Sequence, residues 1–133
     1  MLEDPGGLNP LTNKIIGCGV AVHREFGAGL FESVYARCFV LELRANGLRV
    51  ETEKRIPLFY RGVRVHRGFR VDLIVEDLVV VEVKAVAMLT PVHSAQLITY
   101  LKLTGCPVGL LMNFNVPLLT AGVRRLVNPS QKK

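Results

Sequence analysis

Three charged residues interrupt the apolar, strand-forming region in the middle of the chain. Asp72 and Glu82 lie among Val, Leu and Ile residues, and Lys84 follows Glu82 two positions later. A charge inside a buried strand needs a partner or a functional reason, because burying an unpaired charge is costly. Two neighbouring carboxylates suit a hard cation such as Mg²⁺, and a lysine beside them can orient a water molecule that attacks phosphorus or, as the neutral amine, deprotonate it. These residue types indicate metal-assisted hydrolysis of a phosphate ester.

Side-chain alternation along the strands predicts when the three charges meet. The odd-numbered positions are apolar and are expected to form the buried face: Val71, Leu73, Val75, Val79, Val81 and Val83. Asp72, Glu82 and Lys84 share the even parity. In a hairpin they converge only if the loop has an odd number of residues or if a bulge lies near Val75 to Asp77. On spacing alone, a strand-end Asp72 with an exposed edge pair of Glu82 and Lys84 is an equally good interpretation.

Helical spacing of apolar residues defines three helices that frame this region. The first is predicted over residues 10–25, the second over 30–46 and the third over 91–104. Asn9-Pro10 and Thr90-Pro91 have the cap-then-proline chemistry of helix starts, and Gly47 is a C-terminal stop.

Between and after the helices the hydrophobic period becomes strand-like. Strands are predicted at 49–60 (one or two strands), 63–65, 68–75, 78–85 and 108–113, with 118–127 either an edge strand or a short helix. The order ααβββ(β)αβ(β) predicts an α/β sandwich, with a central mixed sheet flanked by helices.

Length and composition set the class of protein. The chain has 133 residues, 50% of them hydrophobic, so we expect one domain over 1–133 with frayed ends at about 1–8 and 129–133. No apolar run is long enough for a membrane span, and the N-terminus lacks the features of a secretory signal, so we expect a cytoplasmic protein without a membrane partner. Cys18, Cys38 and Cys106 are far apart and suit neither a disulfide framework nor a zinc site. No glycine-rich nucleotide-binding motif is present, so no organic cofactor is expected.

The charge distribution favours a polyanionic partner. Seventeen basic residues against eleven acidic ones give a net charge of +6. Basic residues concentrate just before Asp72, where Arg61, Arg64, Arg67 and Arg70 occur without an acidic neighbour. A basic strand pair beside a metal site suits a phosphate backbone, although arginine is also ordinary on an exposed hairpin.

Several motifs in this chain occur in the order found in a known family. Residues 68–72 (GFRVD) and 82–84 (EVK) resemble the central motif of the PD-(D/E)XK nuclease superfamily, with Val71 in place of its usual proline. Residues 29–35 (GLFESVY) match the signature of the GxxExxY protein family within that superfamily. Gln96 and Tyr100 resemble the QxxxY element of RecB-like nucleases. The resemblance covers about residues 11–128 and implies a restriction-endonuclease-like fold.

The resemblance also implies roles for individual residues. Asp72 and Glu82 would bind Mg²⁺ or Mn²⁺, and Lys84 would assist the nucleophilic water. Glu32 would complete the metal site, directly or through water. Gln96 and Tyr100 would line the cleft and contact a phosphate or position Lys84, whereas Tyr35 is given no catalytic role.

The expected function is a Mg²⁺-dependent nuclease that hydrolyses phosphodiester bonds, in DNA rather than RNA. Specificity would come from a homodimer, a larger complex or the structure of the nucleic acid. One alternative is a noncatalytic nucleic-acid-binding or accessory protein that keeps the fold. Another is a small-molecule hydrolase with the same metal, which would leave the basic hairpin unexplained. The intact set of Asp72, Glu82 and Lys84 favours the enzyme.

Overall fold

The structure, a computed structural model, describes residues 4–131. Three helices and a five-stranded sheet form an α/β architecture, as the hydrophobic pattern predicted. The helices are α1 (Asn9–Phe26), α2 (Glu32–Ala45) and α3 (Pro91–Thr104). The strands are β1 (Val50–Tyr60), β2 (Val63–Val75), β3 (Val79–Lys84), β4 (Val108–Asn113) and β5 (Val123–Val127).

The sheet is mixed and its order follows the sequence, β1-β2-β3-β4-β5. Neighbouring strands are antiparallel except β3 and β4, which are parallel and joined through α3. One hydrophobic cluster packs α1 and α2 on one face, and a second cluster packs α3 on the other face. The central strands are therefore buried on both sides, which is typical where a crossover helix covers a sheet.

This two-sided burial corrects the predicted single apolar face. The even-numbered Ile74 and Val80 are buried against α3, opposite the odd-numbered residues that face α1 and α2. Val71 is also buried, but it packs in the α3 cluster, whereas Leu73 packs in the other one. Strict parity thus fails between Val71 and Leu73, on either side of Asp72.

The helix boundaries are close to the prediction, but one cap and one helix start differ. Thr90 caps α3 through its side chain, as expected, and Gly47 after α2 has a positive φ of 81°. Asn9 is the first residue of α1 rather than its cap, and its N–H donates to Asp4 Oδ1 at 2.8 Å. The second helix begins at Glu32 rather than residue 30, after an extended Phe31.

The structure joins two of the predicted strands and settles the choice left open for segment 118–127. Segments 63–65 and 68–75 form one continuous strand, β2, because Gly68 adopts a φ of 153° and lets the backbone pass close to Arg55. Segment 118–127 contains both proposed elements, a 3-10 turn at Leu119–Gly122 and then β5. Within the described residues, no helix has the length and apolarity needed to cross a membrane.

Candidate active site

Asp72 and Glu82 face each other where β2 and β3 separate. The β2–β3 register pairs Leu73 with Val81 and closes through a loop of three residues, 76–78, which confirms the predicted odd-length loop. Beyond Leu73 and Val81, hydrogen bonds from backbone N–H groups to the two carboxylates replace the backbone-to-backbone bonds between β2 and β3. The Asp72 N–H donates to Glu82 Oε2 at 2.9 Å, and the Val83 N–H donates to Asp72 Oδ2 at 2.9 Å. Each carboxylate is held by the strand that carries the other.

This pair is electrostatically unfavourable when both groups are ionised. Glu82 is only 4% exposed. Burial first, and then the charge of Asp72, raise the pKa of Glu82 from 4.5 to about 8. Burial also raises the pKa of Asp72, against the opposing hydrogen bond from Val83 and the charge of Lys84. At neutral pH the pair therefore tends to retain a proton, which a cation would displace.

The end of β3 fixes the backbone around Lys84. The Lys84 carbonyl accepts a hydrogen bond from the Phe114 N–H at 2.8 Å. Val86, two residues after Lys84, is held by the buried side chain of Asn113. The Asn113 Oδ1 accepts a hydrogen bond from the Val86 N–H at 3.1 Å, and its Nδ2 donates to the Val86 carbonyl at 3.0 Å. Lys84 itself is half-buried, and its charge lowers the pKa of both Asp72 and Glu82.

Glu32 reaches the same strand end from α2. As the first residue of α2, it accepts a hydrogen bond from the Ala85 N–H on Oε2 at 3.0 Å. Its negative charge contributes to the raised pKa of both Asp72 and Glu82, so it lies in the same electrostatic environment. Glu32 therefore links the N-terminus of α2 to the segment that follows Lys84.

Tyr35 holds the loop that leads to Glu32. Its hydroxyl donates to the Gly27 carbonyl and accepts from the Leu30 N–H at 3.2 Å. Its ring stacks on Phe114 with centroids 4.7 Å apart. The side chain thus connects the loop before α2 with the residue that hydrogen-bonds to Lys84, which is a structural role.

Gln96 and Tyr100 on α3 are placed differently from each other. Tyr100 is buried, and burial followed by the charges of Glu82 and Asp72 raises the pKa of its hydroxyl. Gln96 is exposed, and its side chain has no hydrogen bond to any residue in the described part of the chain. The structure therefore brings Tyr100, but not Gln96, into the electrostatic environment of the carboxylate pair.

Asp72 opens onto a groove of about 1070 Å³ between α2 and the β1–β2 hairpin, whereas Glu82 is buried and does not line it. Asp72, Glu32 and Arg70 line it. Arg70 Nη2 lies 2.6 Å from Glu53 Oε2 across the hairpin. Of the four arginines predicted to bind nucleic acid, only Arg70 is on the groove wall. The other three lie on the exposed outer part of the hairpin: Arg61, Arg64 and Arg67.

The donor set suits a small, hard cation. Within residues 4–131, no group of three or more His, Cys, Asp or Glu side chains is close enough to form a metal site by itself. Asp72 and Glu82 each use one oxygen for a backbone N–H, and the second oxygen of each accepts no hydrogen bond within those residues. Mg²⁺ is commonly bound through one or two carboxylates with several waters, so this pair fits Mg²⁺ or Mn²⁺.

Sequence reasoning missed several residues of the groove and of its support. Arg37 and Arg44 line the groove from α2. Their spacing of seven residues places them on the same face of the predicted helix, which could have indicated a shared surface. Asn113 ends an apolar strand just as Lys84 ends β3, which was also a signal. Nothing in the pattern marked Glu53, because its position depends on the register of β1 with β2.

Comparison with known proteins gives one match. The family model described as the PD-(D/E)XK nuclease superfamily matches residues 9–126, which include all five strands but for the last residue of β5. No curated protein and no solved structure matches the chain.

Proposed function

The chain belongs to the PD-(D/E)XK nuclease superfamily, and from that premise we propose that it is a Mg²⁺- or Mn²⁺-dependent nuclease acting on DNA in preference to RNA. The observation that carries the proposal is the facing pair of Asp72 and Glu82, with the pKa of Glu82 raised to about 8. A fold gains little from a buried glutamate held beside a second carboxylate, whereas a cation-binding site uses such a pair.

The residues divide the work according to their position. Asp72 and Glu82 would hold the cation through their free oxygens, with Glu32 as a further oxygen donor. When bound, the cation neutralises charge that develops on the phosphoryl group. Lys84 would orient the attacking water as the ammonium or, as the neutral amine, take its proton. It lies close enough for its charge to act on both carboxylates. Tyr100 bounds the site on the α3 side.

We further propose that the chain is a GxxExxY protein. The backbone angle of Gly29 and the contacts of Glu32 and Tyr35 support such a signature. Gly29 has a φ of 113°, which an ordinary residue rarely adopts. Tyr35 holds the loop around Gly29, and Glu32 then reaches Ala85. The signature therefore places one carboxylate beside the end of β3.

Cleavage assays test the proposal directly. Labelled linear, circular and single-stranded DNA, together with RNA, are incubated with the purified protein in Mg²⁺, Mn²⁺ or EDTA. We expect divalent-dependent cleavage of DNA that Asp72→Asn and Glu82→Gln abolish. Binding without cleavage of any substrate would contradict the nuclease and support the accessory protein. Cleavage that persists in both variants would place the chemistry elsewhere.

A further inference from the structure

One face of α2 forms a wall of the groove that leads to the carboxylate pair. Residues at helical spacing along α2 line it, with Asp72 and Arg70 on the opposite side: Ser33, Ala36, Arg37, Val40, Leu41 and Arg44. The groove therefore continues along the helix, well beyond the two carboxylates that would hold a cation. A substrate that occupied it would contact α2 over about three turns.

The positive charge on this wall is available to a ligand. Arg37 is exposed and forms no ion pair within the described residues. Arg44 uses one nitrogen, Nη2, to donate to the Val50 carbonyl at 2.8 Å, and its remaining N–H groups are left for other acceptors. Two of the three acidic residues that line the groove are engaged, and the third is Asp72 of the candidate metal site. Glu53 pairs with Arg70, while Glu32 accepts a backbone N–H.

Large apolar side chains border the same groove and are exposed to solvent. Phe31, just before α2, is 80% exposed, and Leu41 is 65% exposed. Arginine interleaved with an exposed aromatic ring is the combination that binds a phosphate backbone and stacks unpaired bases. In a duplex the faces of the bases are stacked on one another, so an exposed Phe31 could not stack on them.

We propose that this α2 groove binds single-stranded nucleic acid, with Arg37 and Arg44 as phosphate contacts and Phe31 as a base-stacking platform, and directs the strand to Asp72 and Glu82. The part of the proposal in which the strand leads to Asp72 and Glu82 rests on the proposed nuclease function. Its test is a binding experiment in which no cleavage takes place.

Fluorescence anisotropy in EDTA measures affinity for single-stranded DNA, single-stranded RNA and duplex DNA of equal length over a range of salt. We expect both single strands to bind more tightly than the duplex. Arg37→Gln should lower the slope of log affinity against log salt by about 0.7 on single strands. Phe31→Ala should weaken single-strand binding about 5- to 150-fold. Arg24→Gln, on exposed α1 surface outside the groove, is the matched control.

Leu41 provides a test that does not depend on any existing contact. Because its side chain is exposed, Leu41→Glu and Leu41→Lys should both fold, and they should weaken and strengthen single-strand binding respectively. Leu118→Glu, at a residue 67% exposed and outside the groove, is the control for added charge.

Equal or tighter binding of duplex, or groove variants that bind single strands like the parent, would overturn the proposal. A slope reduced by Arg67→Gln on the hairpin but not by Arg37→Gln would also overturn it. If the groove binds single strands and the protein cleaves nothing in Mg²⁺ or Mn²⁺, only the nuclease function fails. The DNA and RNA arms distinguish the two sources of a single strand.

Discussion

Asp72 and Glu82 are arranged at a cost to the metal-free fold, because their charges repel each other in a partly dehydrated site. We therefore expect Asp72→Asn and Glu82→Gln, which keep the side-chain volume, to abolish activity without unfolding the protein. In EDTA their melting temperature should equal or exceed that of the parent. Mg²⁺ or Mn²⁺ should raise the melting temperature of the parent by mass action, and the variants should lose most of that increase. Differential scanning fluorimetry with and without metal measures both effects, and a parent that gains no stability from either metal would contradict the site.

The same pair predicts how the stability of the metal-free protein depends on pH. The folded-state pKa of Glu82, about 8, lies above its ordinary value of 4.5. Between these two pH values the folded state holds a proton that the unfolded chain has released. Protonation of Glu82 therefore contributes fully to stability below about pH 4.5. This contribution is lost as the pH rises through about 8. Glu82→Gln should flatten the fall in unfolding free energy across this range. Urea denaturation in EDTA measures it, with Glu25→Gln as the exposed carboxylate control.

Lys84 is predicted to act on the water rather than on the cation. Lys84→Ala should lower kcat by roughly 10² to 10⁴, the usual contribution of a positioned proton-transfer group. The affinity for Mg²⁺ should change little, because the oxygen ligands remain. Isothermal titration with Mg²⁺ alongside single-turnover cleavage separates the two effects. A loss of metal binding equal to that of Asp72→Asn would contradict this division of roles.

At the scale of elements, the strand pair could be predicted and its surroundings could not. Alternation and the apolar runs gave the condition for Asp72 to lie opposite Glu82, an odd-length loop or a bulge, and the structure has the odd-length loop. They did not show that Ile74 and Val80 would be covered by α3, because alternation reports one face of a strand and not what packs on the other. The contact of Asn113 with Val86 depends on long-range packing, so the sequence marks Asn113 only as the polar end of an apolar strand and does not indicate its partner.

Asn113 illustrates how β4 positions β3. Its buried amide satisfies both the N–H and the carbonyl of Val86, which follows Lys84 by two residues. Asn113→Ala leaves both backbone groups without these bonds, at about 1–3 kcal/mol for a buried unpaired group. We expect a lower melting temperature and a lower kcat, with KM and Mg²⁺ affinity nearly unchanged, since Asn113 is a positioning residue.

Asn115→Ala is the matched control for this prediction. Asn115 is exposed and reaches the same Val86 carbonyl only at 3.4 Å. It should therefore change stability and kcat much less than Asn113→Ala does. Equal effects of the two variants would show that the loop, and not the Asn113 clamp, sets the position of Lys84.

At the scale of the whole molecule, a buried sheet centre is combined with an exposed hairpin. The outer part of the β1–β2 hairpin is exposed on both strands, whereas β3 and β4 are buried almost throughout. The charge count anticipated a basic hairpin, but it could not separate Arg70, which faces the groove, from the arginines further out. That distinction depends on how far the hairpin extends past the helices, which is a property of the packed chain.

Arg61 at the tip of this hairpin tests whether a residue that lowers the stability of the protein is kept because it binds DNA. Arg61 adopts a φ of 51° ahead of Gly62, a conformation that Asn adopts far more readily than Arg. Arg61→Asn should raise the unfolding free energy by roughly 0.5–1 kcal/mol, and with it the melting temperature by a few degrees. If the hairpin contacts phosphates, the same change should lower the log–log salt slope of duplex binding by about 0.9. Arg67→Asn, at an exposed residue with no positive φ, should lower the slope without raising the melting temperature. Thermal melts and salt titrations of the two variants decide the matter, since an Arg61→Asn protein that is more stable and binds DNA with an unchanged slope would remove this arginine from the DNA contact surface.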